Sequence, residues 1–258
     1  MPTPSNPDYG PHGALANGYP LERTPGVGRV LFVGDSATRR GRVLEGLGPA
    51  AAERRVELWN AGVDAFGTAQ TAAYLDRVLP KVRPDAVVLT FHLNDFETTP
   101  IVFLDDKGDL VQFFPGNPRY LSPFLLANSG LYRHWVRRTA DAPDPAYLDQ
   151  EIETALRRME RACRDVGARF VVAILPLMAT PGQYDEGIER HAEALHLRAQ
   201  MRIRAAGIEP CDWRPAVAQA VALGETVQAV PGDVMHPHPE VAARLAQALL
   251  DCGLFDGL

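Results

Sequence analysis

A chain of 258 residues with 46% hydrophobic and 22% charged side chains can bury a substantial core without staples, as one large domain or two small ones. Its net charge of -6 and the lack of any dense Lys/Arg block exclude a phosphate-tracking surface, so no nucleic-acid partner is expected. Cys163, Cys211 and Cys252 are odd in number and far apart, which offers neither a disulfide framework nor a zinc-ligand spacing.

No stretch has the length of a membrane span, and residues 1–20 lack the basic start and apolar core of an export signal. As it stands the sequence reads as cytoplasmic, or as periplasmic or secreted if a leader has been trimmed; redox compartment and oligomeric state stay open.

Residues 1–28 are rich in Pro and Gly and read as an extended arm lying on the domain, with no catalytic role. Val30 to Val33 is a short apolar run of the kind buried on both faces of a sheet, and Gly34-Asp35-Ser36 breaks it where a helical pattern begins. A helix is expected from Arg39 to Leu47, ended by Gly48-Pro49, followed by a strand from Val56 to Asn60. Asn60 to Gly67 reads as a loop, Thr68 to about Val82 as a helix, and Ala86 to Phe91 as a buried strand with His92-Leu-Asn-Asp-Phe96 at its C-terminal end.

Residues 100–145 break this rhythm, with a turn expected at Asp105 to Gly108 and a short helix near Leu131 to Thr139; segments of this length are commonly lids or binding loops. Beyond them come a helix from Ala146 to Val166, a strand from Arg169 to Leu175, a helix from Glu186 to Ala206 and a short edge strand at Gly207 to Asp212. Asp233-Val-Met-His236 lies in the loop before a closing helix from about Pro239 to Leu250. The alternation implies parallel pairing and a three-layer α/β/α sandwich. With no internal repeat and no splitting linker, residues 29–258 read as one domain with an insertion at about 100–145.

In such sheets ligands lie beyond the carboxyl ends of the strands. Ser36, the loop after Asn60 and Asn94 fall at those ends, and Asp233 and His236 can fold over the same rim. A serine delivered to a helix N-terminus can act as a nucleophile or merely cap the helix, as Asp35 could equally do. Activation needs an imidazole and a carboxylate, which Asp233 and His236 supply from one turn. His238 is a rival base, and a metal site at Asp233, His236 and His238 would lack a second cluster of ligands. His92, His134, His191 and His196 read as structural or exposed.

Gly34-Asp35-Ser36, Asn60-Ala-Gly62 with Phe66-Gly67-Thr68, His92-Leu-Asn94-Asp95 and Asp233-x-x-His236 together resemble, in order and spacing, the blocks of the SGNH hydrolase superfamily, the GDSL-type lipase/acylhydrolase family. That resemblance covers about Arg29 to Leu250. It implies a parallel five-stranded flavodoxin-like sheet and a Ser36-His236-Asp233 triad with an acyl-enzyme. It also implies an oxyanion hole of Ser36 N–H, a backbone N–H of the second block and the Asn94 side chain, and cleavage of ester or thioester bonds without metal or other cofactor.

Two positions depart from the pattern. The glycine of the second block falls on Ala65, which puts the choice of inward-facing N–H in that loop in question, and the glycine opening the third block is His92. Arg39 and Arg40 either carry surface charge or receive an anionic group of the substrate, and His92 could add a polar group to the floor of the site. The aromatics Phe113, Phe114, Tyr120 and Phe124 either fill core or wall an acyl or sugar group. The expected activity is that of a serine esterase on a small-molecule or carbohydrate ester, with O-acyl or O-acetyl groups in view. The alternatives are an O-acyltransferase acting on a sugar or secondary metabolite and a binding module with a spent site.

Overall fold

The computed structural model describes the chain apart from residues 1–7, 11, 16, 97–100, 105–109, 114–121, 140–143, 181 and 184. Its centre is a five-stranded, all-parallel sheet in the order β2-β1-β3-β6-β7. The strands are β1 (Gly28–Gly34), β2 (Val56–Gly62), β3 (Ala86–His92), β6 (Arg169–Leu175) and the short edge strand β7 (Cys211–Asp212). A separate antiparallel hairpin, β4 (Ile101–Leu104) and β5 (Leu110–Phe113), rises from the insertion; the turn expected at Asp105 to Gly108 between them lies outside the described residues.

Alternation along the strands assigns the two faces. Leu31, Val33, Val87, Leu89, Phe91, Val172 and Ile174 pack under α3 (Thr68–Val82), α6 (Pro145–Asp165) and α7 (Glu186–Ala205). Val30, Phe32, Val88, Ala173 and Leu175 pack under α2 (Arg42–Glu53), α8 (Arg214–Ala222) and α9 (Pro239–Asp251). The expected three layers are thus present. Among the described residues no helix is long and apolar enough to cross a membrane.

Three local expectations need correction. The helix expected to end at Gly48-Pro49 runs as α1 (Ser36–Arg39) and then α2 through Pro49 to Glu53, because its apolar face, Val43, Leu47 and Ala51, is buried against the sheet and α9. Gly46 allows α2 to lie directly on the backbone of Ala242 and Ala243, and this packing outweighs the backbone bond that proline removes. Second, α8 and the short α4 (Pro123–Asn128) were not expected; each carries Pro in its first turn, a position to which proline is well suited. Third, Cys211 and Cys252 are joined in a disulfide across 41 positions. The pairing is tertiary: buried Cys211 on β7 packs in the same core as the inner face of α9, and exposed Cys252 stands just past the end of that helix.

The arm is tied down at its described residues. Arg29, 1% exposed, donates to the carbonyls of Pro20, Leu21, Glu22 and Val82, pairs with Glu57 at 2.7 Å and stacks on the Trp59 ring. Trp59 in turn donates to Glu57 at 3.0 Å, so the buried pair has its polar atoms satisfied.

At the far end of the sheet, the carboxylate of Asp95 accepts the His92 N–H at 3.0 Å and so closes the turn at the end of β3. Although an edge of the residue meets solvent, desolvation of its carboxyl, reinforced by the Asp35 charge, pushes its pKa up to about 7.

Two measurements follow. A closed loop of this length is worth on the order of 4 kcal/mol in the chain-entropy picture, so a non-denaturing reductant lowers Tm by roughly 5–15 °C, and Cys252→Ala is insensitive to it. For Asp95, a folded pKa of about 7 against about 3.9 unfolded means that the folded state holds the extra proton between those values. Its contribution is therefore fully present below pH 4 and is lost as pH rises through 7. The Tm difference between Asp95→Asn and wild type should move in favour of the variant from pH 5 to pH 8; a difference independent of pH would count against this assignment.

Candidate functional site

The ends of β1 and β2 are built for close approach. Gly34, at φ +146, sits between Gly62 and Thr90 in the sheet, and a side chain there would strike Thr38 and the Thr90 carbonyl. A Cβ on Gly62 would run into the backbone of Thr38 and Arg39, so β2 can end against α1 only with glycine. The chain therefore leaves β1 in a tight turn and enters α1 at Ser36.

Capping of α1 falls to Asp35, whose Oδ1 accepts the Ala37 N–H at 2.9 Å. The Ser36 hydroxyl is left for another partner, and its Oγ lies 2.9 Å from His236 Nε2. On the other side of the imidazole, Nδ1 is 2.9 Å from Asp233 Oδ1 and 2.8 Å from Oδ2. A carboxylate at Nδ1 favours the tautomer protonated there, which leaves Nε2 to accept the Ser36 O–H. Asp233 Oδ1 also accepts the N–H groups of Met235 and His236, so the same carboxylate shapes the turn that carries its partner.

The segment is anchored over the sheet rim by Met178 N–H on the Val234 carbonyl and by Gln228, which bonds the Met178 carbonyl and the Gly232 N–H. Burial works to raise the Asp233 pKa, but hydrogen bonds from His236 and Met235 and the Arg40 charge hold it below the usual range.

Asn94 follows β3 in a 3₁₀ turn, Leu93–Phe96. Its Nδ2 lies 3.5 Å from Asp35 Oδ2, a long contact that uses one of its two N–H groups, and its own N–H donates to His92 Nδ1 at 3.2 Å. Ala65 adopts φ +61, a left-handed conformation costing an L residue about 1 kcal/mol. Neither its N–H nor that of Ser36 finds an acceptor among the described residues. Ser36 at the start of α1, Asn94 in its 3₁₀ turn, and Ala65, Asp233 and His236 on loops thus all lie at the C-terminal edge of the sheet.

Other expected contributors lie elsewhere or are already engaged. Arg39 gives one terminal nitrogen to Asp64 and the other to Asp8, both at 2.8 Å. His92 is 1% exposed and orders the turn beneath Asn94. The rival base His238 caps α9 and faces Glu240. His134 and His191 are exposed, and the basic runs on α5 (Gly130–Thr139) and α6 include exposed Arg138, Arg157, Arg158, Arg161 and Arg164. Phe124 is 71% exposed; the side chains of Phe113, Phe114 and Tyr120 lie outside the described residues.

Two contacts were not foreseen from the sequence, although Arg40 was read as a surface charge or anion receiver and His196 as structural or exposed. Arg40 NH1 sits 3.3 Å from Asp233 Oδ2, a contact across 193 positions. Buried His196 pairs with Asp212 at 2.9 Å, and desolvation lowers its pKa against the pull of that carboxylate. A cleft of about 240 Å³ lined by Leu93, Pro176, Leu177, Ile188 and His196 opens beside the rim, although neither Ser36 nor His236 lines it.

No protein-family model and no curated sequence matches the chain. Among solved structures, an α/β hydrolase enzyme from the metagenome of Lake Arreo, Spain, is similar at 14% identity over 89% of this chain and 97% of that one, with a TM-score of 0.56. The acetylxylan esterase Axe2 of Geobacillus stearothermophilus is similar at 15% identity over 88% and 95%, TM-score 0.54; solved forms of it include catalytic mutants with a serine or a histidine replaced by alanine. TesA is similar at 17% identity over 86% and 96%, TM-score 0.50. At these identities the likeness is one of fold. The chain shares their fold, a three-layer α/β/α sandwich around a five-stranded parallel flavodoxin-like sheet.

Proposed function

We propose that this protein is a serine esterase that cleaves a short acyl or O-acetyl ester of a small molecule or carbohydrate through an acyl-enzyme. The hydrogen-bonded line from Ser36 through His236 to Asp233, standing at the edge where β1 and β3 end side by side, carries this reading. Ser36 Oγ attacks the ester carbonyl while His236 Nε2 takes its proton. His236 returns that proton to the leaving alcohol, and then activates water against the acyl-enzyme. Asp233 keeps the imidazole in the required tautomer and stabilises its charged form.

The oxyanion formed in each half-reaction is held by Ser36 N–H, Ala65 N–H and the second N–H of Asn94. Alanine in place of glycine leaves the backbone donor intact, and its left-handed φ is the conformation glycine would take there, which supports an active site over a spent one. The catalytic serine and histidine of the acetylxylan esterase with the same fold are consistent with this assignment.

Ser36→Ala should abolish hydrolysis of p-nitrophenyl acetate and labelling by a fluorophosphonate probe with Tm unchanged; undiminished turnover would refute the nucleophile. Asn94→Ala should lower kcat by about two to three powers of ten, the usual effect of losing one oxyanion donor. Product analysis with an added sugar acceptor separates hydrolysis from acyl transfer: free acid in excess over acylated sugar is the expected outcome.

A further inference from the structure

Two described residues of the N-terminal arm, Tyr9 and Leu15, bond the stretch from Asn60 to Gly67, on which Ala65 lies, and two more, Asp8 and Gly13, reach it through Arg39 and Tyr74. Leu15 N–H donates to the Asn60 carbonyl at 2.7 Å. Tyr9, only 9% exposed, donates its hydroxyl to the Gly62 carbonyl at 2.7 Å. Asp8 takes one terminal nitrogen of Arg39 while Asp64 takes the other, so one guanidinium on α1 ties the arm to the middle of the loop. Gly13 accepts the hydroxyl of Tyr74, whose ring meets Phe66 edge-on with centroids 5.8 Å apart. Between these contacts Ala65 stands at φ +61. A non-glycine residue keeps such a conformation only where its surroundings over-determine it, and glycine would need far less support.

We infer that the arm, through Tyr9 and through Arg39, is a brace that keeps Ala65 N–H aimed at the reacting carbonyl, which makes Tyr9 and Arg39 positioning residues. The inference rests on the esterase reading above. Both terminal nitrogens of Arg39 already face carboxylates, so a substrate anion would have to displace Asp8 or Asp64 to reach it. Exposed ion pairs hold little individually. Here they act together with the buried Tyr9 bond and with the loop's own bonds, Val63 N–H to the Gly34 carbonyl and Phe66 N–H to the Val63 carbonyl. When the brace is weakened the loop spends less time in its productive form, and turnover falls in proportion to that population.

The test uses the full chain with Tyr9→Phe, Arg39→Ala and each combined with Ala65→Gly. Readouts are Tm, kcat and KM on p-nitrophenyl acetate, the fluorophosphonate labelling rate at Ser36, and amide hydrogen exchange across residues 62–67. Each single variant should lose about tenfold in kcat and in labelling rate, with KM within about twofold and exchange in the loop faster. Adding Ala65→Gly should restore most of the lost kcat, a rescue that a merely structural role for the arm would not show.

Unchanged kcat and exchange in both single variants would overturn the brace, as would failure of Ala65→Gly to restore either. A raised KM with kcat intact in Arg39→Ala would make Arg39 a substrate contact instead and also overturn it. If Arg39→Ala fails to fold, Tyr9→Phe and Arg39→Lys carry the comparison. Loop exchange needs no substrate, so a wild-type protein inert to ester and probe would sink the esterase reading separately from the brace.

Discussion

Everything at the candidate site depends on the way β1 is paired. It is bonded in parallel on both sides, to β2 and to β3, and the chain leaves it for α1 and α2 on one face and returns to β3 through α3 on the other. At such a reversal the connections diverge and leave a crevice beyond the strand ends. Gly34 lies between Gly62 and Thr90 in that row, and the two glycines let the backbone turn there without collision. A serine one residue into the next helix is thereby held on a core strand, with its hydroxyl directed to the rim. The burial of Val30 to Val33 on both faces is what makes this placement rigid.

Around that point carboxylates divide the work of holding polar groups in place. Asp35 caps α1 and so leaves Ser36 available, Asp233 caps its own turn while orienting His236, and Asp95 closes the turn at the end of β3. The three act at short range on backbone N–H groups, which is why the loops keep their shapes without regular structure. Desolvation of the Asp95 carboxyl, reinforced by the nearby Asp35 charge, accounts for its raised pKa. The N-terminal arm extends the same logic to the strand edge, where Arg29, Glu57 and Trp59 form a buried, satisfied cluster and Tyr9 reaches the last carbonyl of β2.

Much of this was legible in the amino-acid sequence because the signals are local. Continuous apolar runs mark β1, β3 and β6 as strands covered on both faces, and the 3.6-residue spacing of Leu148, Ile152, Leu156, Met159 and Cys163 marks α6. The chemistry-bearing residues stand where such strands end, so chain order alone placed Ser36, Asn94, Asp233 and His236 on one rim. What proved illegible was decided by partners distant in the chain. Pro49 remains inside α2 because α9 covers that helix, and Cys211 finds Cys252 because β7 and α9 share a core. Arg39 is occupied by Asp8 and Asp64, and Arg40 reaches Asp233, through a fold that no spacing announces.

Sequence by itself therefore determined the layered architecture and the identity of the polar groups at its edge, since periodicity and turn chemistry act over a few residues. Tertiary structure alone decided that Asp35 rather than Ser36 caps the helix, that Ala65 takes a left-handed backbone, and that the arm presses on the loop holding it. Those outcomes depend on which side chains compete for the same N–H, carbonyl or carboxylate, and the competitors meet only once the sheet has brought positions tens to hundreds of residues apart into contact.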